Sequence, residues 1–301
     1  MSDEVTVLER KVPAAPALSK KAWTPCWENL NKLTWVESFA FTSHGVSFGV
    51  RVSDPALISL LKERLPVGAK LSSTKTVDRY FSVILGGRKE GSRVRAFHML
   101  YLDHTMFGRS HRQEEVLDGF ESWVRLSLGQ LAPKRVFVHA GAVGWKGRAI
   151  VMPGRTFTGK STLVAELIKR GASYYSDEFA LIDKDGLLHP FHKPLSLRDP
   201  ATGHQSGIDV QELGGELGNE PLPIGLIVSS KYQQGARWQP KTLSAGSAVL
   251  EMLSNAVAAQ YAPDRVLSTL ERVALSTAAI QSRRGEAARA ADKILQLVEQ
   301  Q

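Results

Sequence analysis

The run Gly154-Arg155-Thr156-Phe157-Thr158-Gly159-Lys160-Ser161, followed by Thr162, has the spacing G-x-x-x-x-G-K-[ST] of a phosphate-binding loop. Glycines at its two ends let successive backbone N–H groups curl around an anion. Lys160 reaches the outer phosphates as a point charge, and Ser161 offers a hydroxyl of the kind that ligates Mg²⁺. An apolar run, Ala149-Ile150-Val151-Met152, precedes the loop. An amphipathic stretch with Leu163, Val164, Leu167 and Ile168 on one side follows it and stops at Gly171. Strand, glycine loop and helix thus occur in the order this chemistry requires. The motif implies a nucleoside triphosphate, with ATP and Mg²⁺ as the expected ligands.

Phosphoryl transfer also needs a carboxylate for the metal and a group that deprotonates or orients the nucleophile. Asp177 and Glu178 are the candidates. They end a short apolar strand begun by Tyr174 and Tyr175, one helix and one return strand beyond Ser161. A right-handed crossover brings such a strand end back beside the loop. One carboxylate can then hold Mg²⁺, directly or through water, while the other takes a proton from an attacking hydroxyl. His139 closes a strand, Val136-Phe137-Val138, on the run leading to the loop. It is a candidate neighbour of the phosphoryl group or of a carboxylate. Lys193 and Arg198 are candidate cation clamps for the transferring group, and Arg283 and Arg284 compete for that role. Arg155, inside the loop, touches phosphate or points to solvent.

The chain of 301 residues has length for one large or two ordinary domains. Its 43% hydrophobic and 23% charged residues are ordinary for a soluble globular protein. No apolar run reaches the 18 or so residues of a membrane span, and the polar, mixed-charge segment Met1 to Lys21 lacks the apolar centre of a secretory signal. The single cysteine, Cys26, excludes an intramolecular disulfide and a cysteine-based zinc site. A reduced thiol in the cytoplasm is the expectation. The net charge of +8 suggests an anionic partner. Lysines and arginines are scattered rather than interleaved with aromatics, so a basic surface with a phosphate pocket is favoured over a nucleic-acid interface.

Composition sets off residues 1–22 as a flexible leader, 23–112 as an N-terminal α+β domain and 113–301 as a second, loop-bearing domain. In the first, Val46, Phe48, Val50 and Val52 alternate with smaller or polar residues, the period of a half-buried strand. Asp54-Pro55 then caps a helix lined by Leu57, Ile58, Leu61 and Leu65. Strands are expected over 80–85 and 94–102. A helix over 114–131 is read as the bridge into the second domain. Beyond the acid pair, 199–221 is rich in Gly, Asp and Glu without a clear period, and is expected to be a mobile segment near the site. A buried strand over 224–228 and three one-faced helices, over 244–259, 264–275 and 286–299, complete the pattern.

The run from Val138-His139-Ala140 through the loop, its helix and Ser176-Asp177-Glu178 resembles the catalytic domain of HPr kinase/phosphorylase. It looks more like the HPr-kinase-related proteins, which share the phosphoenolpyruvate-carboxykinase-like P-loop architecture. The resemblance spans roughly 134–300 and is most specific between 138 and 183. It implies an α/β core of HPr-kinase/carboxykinase-like type and an ATP- and Mg²⁺-dependent kinase that phosphorylates a hydroxyl, with serine of a protein or peptide as acceptor. Transferred position by position, it makes Asp177 the base, Ser161 and Glu178 the metal ligands, and His139 the histidine ahead of the loop. Assembly into ring-like oligomers is a further implication. The sequence also departs from the family. Arg155-Thr156-Phe157-Thr158 is bulkier than the family's Asp-Ser-Gly-x and lacks the acid, Glu178 stands where an Asp is usual, and no glycine-rich signature follows the acid pair. The phosphorylase activity and the carrier protein HPr are therefore not expected here. Two other readings stand beside the protein kinase: a nucleotide-binding regulatory module without kinase activity, and a small-molecule kinase. A carboxykinase-like metabolic enzyme is disfavoured, since no array of basic residues suited to a dicarboxylate is evident.

Overall fold

A computed structural model of the chain describes residues 9–10, 30–88, 93, 95–154, 158–198 and 205–300. The fold is mixed α/β, and it divides into two units, Met1–Pro133 and Lys134–Gln301. Of the expected leader only Glu9 and Arg10 are described, paired in parallel with Thr76 and Val77.

The first unit is built on a six-stranded sheet. Strands β1 (Glu37–Ser43) and β2 (Val46–Val52) form a hairpin, and helix α1 (Ala56–Glu63) follows. Strands β3 (Lys70–Ser72), β4 (Arg79–Ile84), β5 (His98–Leu102) and β6 (Thr105–Ser110) complete it in the order β6-β5-β4-β2-β1-β3. The alternation expected in β2 is blurred, because Gly49 and Arg51 are buried as well. Arg51 reaches this interior by lying over the Trp35 ring and donating to Ser82. Helix α2 (Gln113–Leu131) belongs here and not with the second unit. It buries Phe120 edge-on against Phe81 of β4, with Val116, Val124 and Leu128 on the same face. A helix with so wide an apolar stripe packs on the nearest open sheet face, and the connecting Ala132-Pro133 comes after it.

The second unit carries every candidate site residue. Its elements are β7 (Arg135–Trp145), β8 (Arg148–Pro153), α3 (Lys160–Ile168), β9 (Ser173–Ser176), β10 (Phe179–Asp183), β11 (Leu187–His189), β12 (Leu195–Arg198) and β13 (Gln205–Ile208). A 3₁₀ turn (Val210–Leu213), β14 (Leu222–Tyr232), β15 (Lys241–Thr242), α4 (Ala245–Leu253), α5 (Pro263–Ser276), β16 (Ala278–Arg284) and α6 (Ala287–Glu299) follow. Two long strands organise the sheet. The first half of β7 pairs with β10, while its second half pairs with β8 on one side and β9 on the other. β14 begins against β11 and continues between β8 and β16, parallel to both. The pairings therefore close through β7, β10, β11, β14 and β8.

Period-two alternation distributes the side chains of β8 to two cores. Ile150 and Met152 meet α3 and α6, through Leu163, Leu167, Ala291 and Ile294. Ala149 and Val151 meet α4 and α5, through Met252, Val266 and Leu270. The four apolar residues expected on the helix after the loop, Leu163, Val164, Leu167 and Ile168, are all buried. At about 1.5–3 kcal/mol for each such side chain, this face alone holds the loop's helix against the sheet. The segment 199–221 is not one irregular loop: Gln205–Ile208 pairs with Leu195–Arg198, and residues 199–204 lie outside the described residues. Among the described residues no helix is long and apolar enough to cross a membrane.

Candidate functional site

β8 ends at Pro153 and α3 begins at Lys160, so the glycine- and lysine-bearing motif joins the carboxyl end of a strand to a helix N-terminus. Arg155, Thr156 and Phe157 lie outside the described residues. The two ends of the motif are described. Gly159 caps α3 in the left-handed region, at φ 83°, where only glycine sits without strain. A Cβ there would also lie 2.4 Å from Nη2 of Arg284. That guanidinium is almost fully buried and donates to the Gly159 carbonyl at 2.6 Å. The N–H of Tyr232 donates to the Thr158 carbonyl at 3.3 Å. The ends of β14 and β16 thus brace the loop where it turns into the helix.

At the other end, Gly154 is tied to β7 through its N–H, which donates to the His139 carbonyl. The Gly154 carbonyl accepts from Lys160 Nζ at 2.6 Å and from His139 Nδ1 at 2.7 Å. A carbonyl only accepts, so His139 carries its proton on Nδ1 and keeps the lone pair on Nε2. Burial, with the charge of Lys160 added, lowers the pKa of His139, so the ring is neutral near pH 7. Burial likewise lowers the Lys160 ammonium to about 8, against the opposing pull of Asp177. An ammonium held in this way, beside a helix N-terminus, gains from an arriving anion.

The crossover brings the acid pair back beside the loop, as expected. Asp177 is 5% exposed and satisfied on several sides. Its Oδ2 accepts from Ser161 Oγ at 3.2 Å and from the Ser196 N–H at 2.9 Å, and its Oδ1 accepts from the Tyr174 hydroxyl at 3.1 Å. Burial and the adjacent carboxylate push the Tyr174 phenol well above its ordinary pKa, so it stays a donor. Glu178 is half-buried, and Lys193 Nζ lies 3.4 Å from it and 3.7 Å from Asp177. His139, Gly159, Lys160, Ser161, Thr162, Asp177, Glu178, Lys193, Ser196 and Arg198 line one cavity of about 380 Å³.

Nine of these ten were legible as candidates or as motif members. Ser196 was not, and neither was Tyr174 in its role as a hydrogen-bond donor. Tyr174 is three residues ahead of Asp177, on the strand that ends just before it, and that spacing is the local signal for it. Arg283 and Arg284 are not in this cavity. Arg283 is exposed and bonds Gln233, and Arg284 is committed to the loop's backbone. Thr158 and Gly154 line a second cavity on the other side of the loop.

The donor set is hard oxygen: Ser161 Oγ and the carboxylates of Asp177 and Glu178. No group of three or more His, Cys, Asp or Glu side chains that would cage a metal occurs among the described residues. The hard-oxygen donor set is of the kind that suits Mg²⁺, which keeps waters and takes one or two carboxylates together with substrate phosphates. The structure pairs Ser161 with Asp177, whereas the resemblance pairs it with Glu178. Neither the protein-family models nor the curated proteins contain a match to this chain.

Proposed function

We propose that this chain is an ATP- and Mg²⁺-dependent kinase of HPr-kinase-like P-loop architecture, transferring the γ-phosphoryl group to a hydroxyl, with serine of a protein or peptide as the acceptor. The observation that carries this reading is the 3.2 Å contact between Ser161 Oγ and Asp177 in a cavity that also holds Lys160, Glu178, Lys193 and Arg198. A nucleotide-binding module without transfer has no need of a second carboxylate and two further cations beyond the loop.

Lys160 and the backbone N–H groups at the start of α3 bind the β- and γ-phosphates. Ser161 and Asp177 hold Mg²⁺, which when bound neutralises phosphate charge. Asp177 is saturated by hydroxyl and amide donors, which suits a fixed ligand better than a proton acceptor. Glu178 is the more exposed acid and takes the acceptor's hydroxyl proton. Lys193, within reach of both carboxylates, keeps them from repelling each other and faces the charge that builds on the transferring group. Neutral His139 fixes the first turn of the loop through the Gly154 carbonyl.

Incubation of the chain with γ-labelled ATP, Mg²⁺ and a lysate of the source cell tests this. Label on a discrete species, on serine, and its loss in Lys160→Ala are the expected outcome. ATP binding without transfer to any lysate component would instead favour the regulatory module.

A further inference from the structure

The cavity on the far side of the loop is larger than the one that holds the acid pair, about 890 Å³. It opens at the carboxyl ends of the parallel strands β8, β14 and β16, the usual position of ligand crevices in such sheets. Lys231, Arg237, Lys241 and Arg283 line it. A neighbouring cavity of about 530 Å³ shares Ala236 and Arg237 with it and adds Arg289 and Lys293. The two make one trench with six exposed cations.

None of the six has an ion-pair partner among the described residues. Arg283 and Lys293 bond only to the amides of Gln233 and Gln296. The trench has two carboxylates. Glu251 is occupied by the Ser229 hydroxyl at 2.9 Å, and Glu286 stands at the N-cap of α6. Six cations against two carboxylates leave a net positive concavity, and an anionic occupant relieves the repulsion among the cations. Among the described residues, Trp238 is the one aromatic lining the trench, and it is half-buried against the core of α3 and α6, so no row of exposed rings offers the stacking platform of a single-stranded nucleic-acid site. A bilayer surface does not enter a concavity. An extended, carboxylate-bearing chain does.

We propose that this basic trench is a docking surface for an acidic segment of a partner polypeptide, held beside the phosphate-binding loop. The proposal goes beyond the kinase reading and does not need it, because neither its ligand nor its test contains a nucleotide.

The test is fluorescence polarisation of dye-labelled octaglutamate against the full chain, with octaglutamine and a single-stranded oligouridylate as parallel probes. The trench variant carries Arg237→Gln, Lys241→Gln and Arg283→Gln. A control removes the same charge elsewhere, with Lys70→Gln, Lys75→Gln and Lys134→Gln. All six positions are exposed, so both variants are expected to fold. At roughly 1.4- to 5-fold for each exposed charge contact, the trench variant with three contacts removed should weaken octaglutamate by about 3- to 100-fold. The control should weaken it by less than about twofold. Equal weakening in both variants, or equal affinity for octaglutamine, overturns the proposal. So does tighter binding of the oligouridylate that is lost in the trench variant, which would make the trench a nucleic-acid surface.

Discussion

Gly159→Ala perturbs the loop at one atom. The added methyl group must occupy a left-handed residue, at roughly 1–2 kcal/mol for a side chain in that region. It must also sit 2.4 Å from Nη2 and 3.4 Å from Cζ of Arg284. The guanidinium is the far end of a flexible side chain, and elsewhere it would swing away. Here it is 2% exposed and donates to the Gly159 carbonyl, so its retreat forfeits a charge-assisted bond of about 1.5–3 kcal/mol. Together these come to roughly 2.5–5 kcal/mol. Gly147→Ala isolates the first contribution, since Gly147 has φ +78° with nothing within 4 Å of its added Cβ. Urea unfolding of the two variants should differ by the Arg284 contribution, with Gly159→Ala the less stable. ATP binding, followed by titration calorimetry, should fall by roughly 60-fold in Gly159→Ala if even the lower figure must be repaid to restore the loop. It should be unchanged in Gly147→Ala. Equal stability of the two variants, with wild-type ATP affinity in both, would refute the bracing of the loop by Arg284.

Lys160 gives a pH signature. Its pKa in the folded chain is lowered from 10.5 to about 8, so between those values the unfolded chain binds more protons and stability rises with pH. Lys160→Met should therefore be more stable than wild type at pH 7, with the gap closing as pH rises through that window in parallel denaturation curves. ATP affinity of the wild type should fall as pH rises through about 8, as the free ammonium is lost. Glu178→Gln should bind Mg²⁺ and ATP normally and lose phosphoryl transfer by about 10²–10⁴-fold in a labelled-phosphate assay, the range for removing a general base. Tyr174→Phe removes a donor shared between Asp177 and the Lys193 carbonyl. It should lower stability by about 1 kcal/mol in urea unfolding and leave a stable fold.

The parts of this site that sequence reveals are those whose signals are local. The glycine and lysine spacing of the loop, the apolar face of its helix and the adjacent Asp177-Glu178 each sit within one element and its turn. The brace around the loop is not local. β16 reads Ala-Ala-Ile-Gln-Ser-Arg-Arg, with few β-branched residues, and its buried alternate positions are Ile280, Ser282 and Arg284. An arginine on the inward face breaks the pattern by which a strand is recognised, and pairing with β14 and β15 makes a strand of it. Ser196 escapes for a similar reason: it contributes a backbone N–H, which every residue but proline has. Helix α2 was recognised with nearly correct ends, but its sheet could not be. An apolar stripe says that a helix packs, and not which side of a domain boundary it packs on. The trench cations are spread between residues 231 and 293, so composition reads them as scattered, and folding of β14, β16 and α6 gathers them.

The loop and the acid pair are proposed to form one site for a metal-bound triphosphate. Titration of ATP into the wild type and into Asp177→Asn, each with and without Mg²⁺, tests it most directly. Mg²⁺ should tighten ATP binding to the wild type, and Asp177→Asn should lose this gain while binding metal-free ATP as before. An undiminished Mg²⁺ effect in Asp177→Asn would contradict it, and so would a wild type that binds ATP in neither condition.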